Sequence, residues 1–122
     1  YLDEWNKSRI NIADFYNDKI VNEHIRCPLK EKCNKHIYYV YVITTSNRDK
    51  LRLYLDSYGI TTGIYFPVPL HMQKAFKCLN YKQGDMQNAE ALSKRSLAIP
   101  MFAELTSEEQ GQVIKIINNF EV

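Results

Sequence analysis

Ile37-Tyr38-Tyr39-Val40-Tyr41-Val42-Ile43 is a run of seven residues, each of them β-branched or aromatic. Such residues fit a pleated strand, and the run is too short for a buried helix. Both faces of the predicted strand are apolar, whereas a half-solvated antiparallel strand alternates polar and apolar residues. The strand is therefore expected to be covered on both sides or to await a partner. Period-two alternation places Tyr39 and Tyr41 on one face and Tyr38 on the other.

Working outward, Trp5, Ile12, Ala13, Tyr16 and Ile20 recur at helical spacing and predict an amphipathic helix from Asp3 to about Ile20. Between Val21 and Lys35 the chain reads as a short strand near His24 to Arg26, then a polar loop containing Pro28. After the tyrosine run, Ser46 or Asn47 caps a helix striped by Leu51, Tyr54, Leu55 and Tyr58, and Gly59 supplies its left-handed stop. Ile60 to Phe66 reads as a further strand closed by Pro67-Val68-Pro69. Asp85 opens a weaker helix through Ala89, Leu92 and Ser96, followed by an extended piece, Leu97 to Pro100. Thr106-Ser107-Glu108-Glu109 is a capping box ahead of Val113, Ile114, Ile116, Ile117 and Phe120. Strands interspersed with helices in so short a chain predict an α/β two-layer sandwich, a small, mostly antiparallel sheet with helices packed on one face.

The 122 residues, 45% hydrophobic and 25% charged, match one globular domain with a core of its own. Sixteen basic and fourteen acidic residues are interspersed to a net charge of +2, so no basic stripe marks a nucleic-acid or acidic-membrane partner. No apolar run approaches the roughly 18 residues that span a bilayer. Three cysteines, an odd number, with no signal peptide ahead of Tyr1, suggest reduced thiols and a cytoplasmic protein. The chain opens in helical pattern without an initiator methionine, which reads as a fragment.

Few motifs carry chemistry. The four glycines, Gly59, Gly63, Gly84 and Gly111, are too scattered for a phosphate-cradling loop. Cys27, Cys33 and His36 lack regular zinc spacing and a fourth ligand, so no metal is assigned. The tyrosine strand lacks the interleaved Arg or Lys of an RNA-stacking platform. No serine sits in a nucleophile elbow. What remains is Tyr65-Phe66-Pro67-Val68-Pro69-Leu70-His71, where two prolines fix the backbone just after a strand and aim an aromatic pair and a histidine outward. Taken by itself the segment suits a binding edge and a structural turn about equally.

The longer stretch Gly59-Ile60-Thr61-Thr62-Gly63-Ile64-Tyr65-Phe66-Pro67-Val68-Pro69-Leu70-His71-Met72-Gln73-Lys74-Ala75-Phe76 closely resembles a signature of the DegT/StrS sugar aminotransferases. Tyr81-Lys82-Gln83-Gly84-Asp85, Ala89-Glu90, Leu97-Ala98-Ile99-Pro100-Met101-Phe102 and Leu105-Thr106 follow in that family's order and at about its spacing. Upstream, Arg9, Tyr16, His36 and Arg48-Asp49 fit as well. The ordered combination spans nearly the whole chain.

This resemblance implies the C-terminal small domain of a fold-type I enzyme dependent on pyridoxal phosphate. Residues 1–20 would lead in from a large N-terminal domain, absent here, that holds the cofactor and its lysine, and residues 21–122 would form the small domain. The implied reaction transfers an amino group, usually from glutamate, to a nucleotide-linked keto-sugar in polysaccharide biosynthesis. The implied partners are that large domain, a homodimer mate and the nucleotide-sugar. No residue of this chain is assigned to catalysis or to cofactor binding, and the chain alone is expected to be inactive. His71 matches the family's residue and ranks first for substrate contact, with Tyr65 second. The family most often has His-Tyr-Pro where this chain has Tyr65-Phe66-Pro67, so Phe66, lacking a hydroxyl, enters as an apolar wall. Arg48 and Glu90 match too and are assigned to helix capping and structural pairing. Two alternatives stay open: a relative with another pyridoxal-phosphate reaction, such as sugar dehydration, and a free-standing binding module using the tyrosine strand and the proline loop.

Overall fold

A computed structural model describes residues 1–31 and 33–122. Two strands, β1 (Tyr41–Thr44) and β2 (Ser96–Ile99), pair antiparallel, with Tyr41 opposite Ile99 and Ile43 opposite Leu97. Single antiparallel bridges extend this small sheet at both edges, Arg26 pairing with Thr44 and Gly63 with Ala98. Four helices accompany it: α1 (Leu2–Lys19), α2 (Arg48–Ser57), α3 (Gln87–Arg95) and α4 (Ser107–Asn118). The turns Leu70–Met72 and Lys74–Leu79 are short 3-10 helices.

The tyrosine run is only partly a strand. Tyr38 has a left-handed backbone (φ 49°), and its N–H donates to His36 Nδ1 at 2.9 Å while its ring packs on the imidazole. That local bond takes the donor a ladder would need, so pairing begins at Tyr41 instead of Ile37. The kink also reverses the expected facing. Tyr38 and Tyr41 are both buried, with ring centroids 6.0 Å apart, and Tyr39 is 78% exposed. Nor is β1 covered on both sides: Tyr41 and Ile43 are fully buried, but Val42 and Thr44 remain half-exposed.

The buried face of the sheet, Tyr41, Ile43, Leu97 and Ile99, forms one core with Ile12, Ala13, Tyr16 and Ile20 at the end of α1, Leu51 and Leu55 of α2, and Val113, Ile114, Ile116 and Ile117 of α4. Each such aliphatic side chain contributes about 1.5–3 kcal/mol by leaving water. The first half of α1 is largely exposed, with Trp5 stacked on Tyr1. Gly59 does end α2, at φ 74°. Asn47 is the N-cap of α2 but makes no side-chain cap bond; its N–H donates to Thr45 Oγ1 at 3.2 Å. Asp85 does not open α3; its carboxylate accepts the Lys82 N–H at 2.7 Å and closes a turn, so the helix starts two residues later. None of α3 is buried, and Leu92 faces solvent. The capping box at Thr106 and Glu109 is present with both reciprocal bonds.

Two asparagines clasp the ends of α1 and α4. Asn22 Nδ2 donates to the carbonyls of Ile117 (2.9 Å) and Phe120 (2.8 Å). Asn118 Nδ2 donates to Lys19 O at 2.8 Å, and its Oδ1 accepts the Val21 N–H at 3.0 Å. Asn118→Ala removes two of these bonds and is expected to cost about 1–2 kcal/mol. In urea, this should appear as a lower midpoint with an unchanged m-value.

Candidate functional site

After the Gly63–Ala98 bridge the chain leaves the sheet instead of continuing as the expected Ile60–Phe66 strand. Phe66 adopts a left-handed backbone (φ 57°) that is uncommon for a bulky side chain and swings the following prolines outward. Tyr65 turns back over Gly63, so that a Cβ there would lie 3.0 Å from its ring and would make that half-exposed side chain shift.

Tyr65 is 50% exposed and lines a groove of about 380 Å³ with Arg9, Tyr39, Thr61, Thr62 and Met101. Arg9 Nε is buried and has no hydrogen-bond partner among the described residues, a state it shares with Tyr38 Oη. An unpaired buried guanidinium N–H is costly unless an acceptor arrives from outside. Phe66, 77% exposed, lines a separate apolar hollow with Pro67, Val68 and Met72.

His71 lines neither cavity and is buried in the first 3-10 turn. Its Nε2 lies 3.1 Å from Glu90 Oε1, and the Tyr81 ring meets it edge-on at 6.3 Å. The same Glu90 oxygen accepts the N–H of Gly84 at 2.8 Å and, more weakly, of Met86 at 3.4 Å. The Gly84 N–H, aided by the His71 and Met86 donors, holds the Glu90 carboxyl below the usual carboxylate range against the opposing pull of desolvation. Gly84 reaches this geometry at φ 97°. Arg48 bridges α2 and α3, its Nε donating to Asp49 Oδ1 at 2.6 Å and its Nη1 to the Ser93 carbonyl at 3.4 Å.

The three residues expected to contact substrate therefore occupy three distinct settings: a polar groove, an apolar hollow and a buried hydrogen-bonded pair. Arg9 and Tyr39 join Tyr65 without having been assigned a site role. The signal for Arg9 was present: it falls four residues after Trp5 and three before Ile12, on the apolar stripe where a charged residue needs a reason. Among the described residues no three His, Cys, Asp or Glu side chains converge as metal ligands, and no helix is long and apolar enough to cross a membrane.

Comparison with known proteins gives these surfaces a context. The model of the DegT/DnrJ/EryC1/StrS aminotransferase family matches residues 1–118. A pleiotropic regulatory protein of Geobacillus stearothermophilus is 35% identical over 98% of this chain and 33% of its own length. A UDP-N-acetyl-3-dehydro-alpha-D-glucosamine 3-aminotransferase of Acidithiobacillus ferrooxidans is 30% identical over 96% of the chain and 31% of its own length. Among solved structures, DesV of S. venezuelae in complex with a ketimine intermediate superposes at TM-score 0.92 with 27% identity, covering 96% of this chain and 32% of DesV. The chain thus spans about a third of the length of the relatives it matches.

Proposed function

The chain belongs to the DegT/DnrJ/EryC1/StrS aminotransferase family, and from that premise we propose that it is the substrate-side small domain of an enzyme that moves an amino group, from glutamate, onto a nucleotide-linked keto-sugar. The same reading takes the domain as a two-layer α/β sandwich of the aminotransferase small-domain type. It working partners are a large N-terminal domain and a homodimer mate, and its compartment is the cytoplasm.

The observation that carries the substrate class is the Arg9 groove. A buried guanidinium N–H lacking a partner, beside the phenols of Tyr39 and Tyr65 and the hydroxyls of Thr61 and Thr62, suits a ligand that combines negative charge with sugar hydroxyls. Tyr65 donates or accepts through its hydroxyl and Phe66 forms an apolar wall in the neighbouring hollow, while His71, buried against Glu90 outside both cavities, supports the segment from behind.

Pyridoxal phosphate enters as the cofactor of the whole enzyme. Every described lysine lies exposed, whereas an aldimine-forming lysine is held in a dry pocket. The scattered glycines form no phosphate cradle. These residues do not fit the cofactor; the chain alone is inactive in this reading.

Titrating the isotope-labelled chain with UDP-N-acetylglucosamine tests the proposal. Amide shifts should concentrate around Arg9, Tyr39 and Thr61 to Tyr65, and Arg9→Met should weaken the response roughly tenfold, the worth of one charge-assisted hydrogen bond. Shifts that ignore this groove, or an unchanged response in Arg9→Met, would count against it.

A further inference from the structure

We propose that the outer edge of the 60–64 segment, with the face of α2 beside it, is a contact surface for a second copy of this chain, formed by two-fold, edge-to-edge pairing of Thr62 with Ile64. The contact is built from this chain alone and stands whether or not the Arg9 groove takes a nucleotide-sugar.

The backbone supplies the edge. Gly63 exchanges both bonds with Ala98, its N–H donating at 2.9 Å and its carbonyl accepting at 2.7 Å. In an antiparallel ladder the residues on either side of such a bonded pair turn their N–H and C=O groups the other way. Those of Thr62 and Ile64 therefore point away from β2, and among the described residues they have no backbone partner. Sheet edges are ordinarily blunted by charged residues or proline. The opposite edge carries His24, Arg26 and Pro28, whereas Ile60 to Phe66 holds neither kind. The left-handed Phe66 then ends the extended stretch, so the open edge is short.

The charges beside it are self-complementary. Arg52, Leu53 and Asp56 of α2 line a groove of about 240 Å³ with Thr61, Thr62 and Ile64. Arg52 and Asp56 are exposed one helical turn apart, yet among the described residues neither forms an ion pair. Arginine ahead of the acid is the less favourable order within one helix. A two-fold axis at Gly63 sets Thr62 against Ile64 of the second copy twice, closing four hydrogen bonds, and reverses the direction of the second α2. Each Arg52 then faces Asp56 of the other copy, the self-matching that an isologous interface requires. One short edge and one helix face fall below the roughly 1,200 Å² of a stable complex, so the dimer is weak.

Sedimentation equilibrium from about 10 µM to about 1 mM should show a monomer–dimer equilibrium with a dissociation constant on the order of 100 µM. Asp56→Arg or Arg52→Asp brings like charges together twice and should weaken it roughly tenfold, while the two changes combined restore opposite pairs and should return it to within about threefold of wild type. Both positions are exposed, so circular dichroism of the variants should match the wild type. Over the same range, amide exchange at Thr62 and Ile64 of the wild type should slow about fivefold as the free chain falls to roughly a fifth, a measurement that needs no variant. A chain that stays monomeric to the top of the range overturns the proposal. So does a dimer indifferent to the single reversals, a double reversal no better than the singles, or protection along the exposed 65–82 segment instead of at the edge.

Discussion

Raised above the ordinary phenol range, the pH is expected to unfold this domain cooperatively, with loss of helical circular dichroism beginning near pH 10 and complete by about pH 12. Tyr16 and Tyr41 are fully buried with ring centroids 5.1 Å apart, and their hydroxyls donate to Pro100 O at 3.0 Å and Asn17 Oδ1 at 2.7 Å. Burial pushes both phenols well above their usual value; the Glu109 charge adds to the effect at Tyr16, and the Cys27 thiol adds to it at Tyr41. In the unfolded chain the same phenols ionise at about pH 10. Their contribution is thus fully present below that pH and is lost as pH climbs toward the folded values. Each costs up to about 1.4 kcal/mol per pH unit, so two lose about 5 kcal/mol over two units, the scale of a small domain's whole stability. Tyrosinate absorbance should rise in step with the loss of helix, and Tyr41→Phe should roughly halve the pH slope. A helical signal unchanged beyond about pH 12 would contradict the account.

A comparable loss at neutral pH is expected from Leu55→Ala. Leu55 is fully buried in α2, beside the equally buried Leu51 and within the core shared with β2 and α4. Truncation removes the transfer energy of the lost carbons and leaves a cavity that the surrounding helices refill only in part. The cost should be about 3 kcal/mol, within the 2–5 kcal/mol range for such changes. The melting temperature should fall by roughly 10 °C or more. Leu53→Ala, two residues away on the exposed face at 66% exposure, is the control and should change stability by less than about 0.5 kcal/mol. Equal losses in the two variants would mean that the core is not where the structure puts it.

The contrast between Leu55 and Leu53 also shows what the sequence makes legible. Where a local rule and the tertiary fold agree, the elements follow: the stripe of Leu51 and Leu55, the positive φ at Gly59, and the capping box at Thr106 are all found. Where a side chain competes with the backbone ladder, they do not. His36 captures the Tyr38 N–H and Asp85 captures that of Lys82, and each bond moves an element boundary that hydrophobic pattern alone cannot locate. The strands expected at His24 to Arg26 and Ile60 to Phe66 survive only as single bridges, at Arg26 and Gly63, because most of their length leaves the sheet unpaired. The site was legible as a segment, 65–71, but not as a geometry. His71 depends on Glu90, nineteen residues on, and Tyr65 is joined by Arg9, fifty-six residues back, and no periodicity encodes either distance.

The asparagine clasp between α1 and α4 has a bearing on how the domain is made. Its four hydrogen bonds join residues 95 to 99 positions apart, and α4 supplies four of the core aliphatics against which α1 and the sheet pack. During synthesis α1 emerges ahead of α4, and the part of its surface that Val113, Ile114, Ile116 and Ile117 cover stays open until residues near 118 have left the ribosome. Closure of the core therefore waits for α4, and such non-local closure is intrinsically slow. Until then the exposed tyrosines and the edges of the short sheet are free to meet other chains, which makes the interval before α4 appears the stage at which this domain is most open to aggregation and most in need of a chaperone.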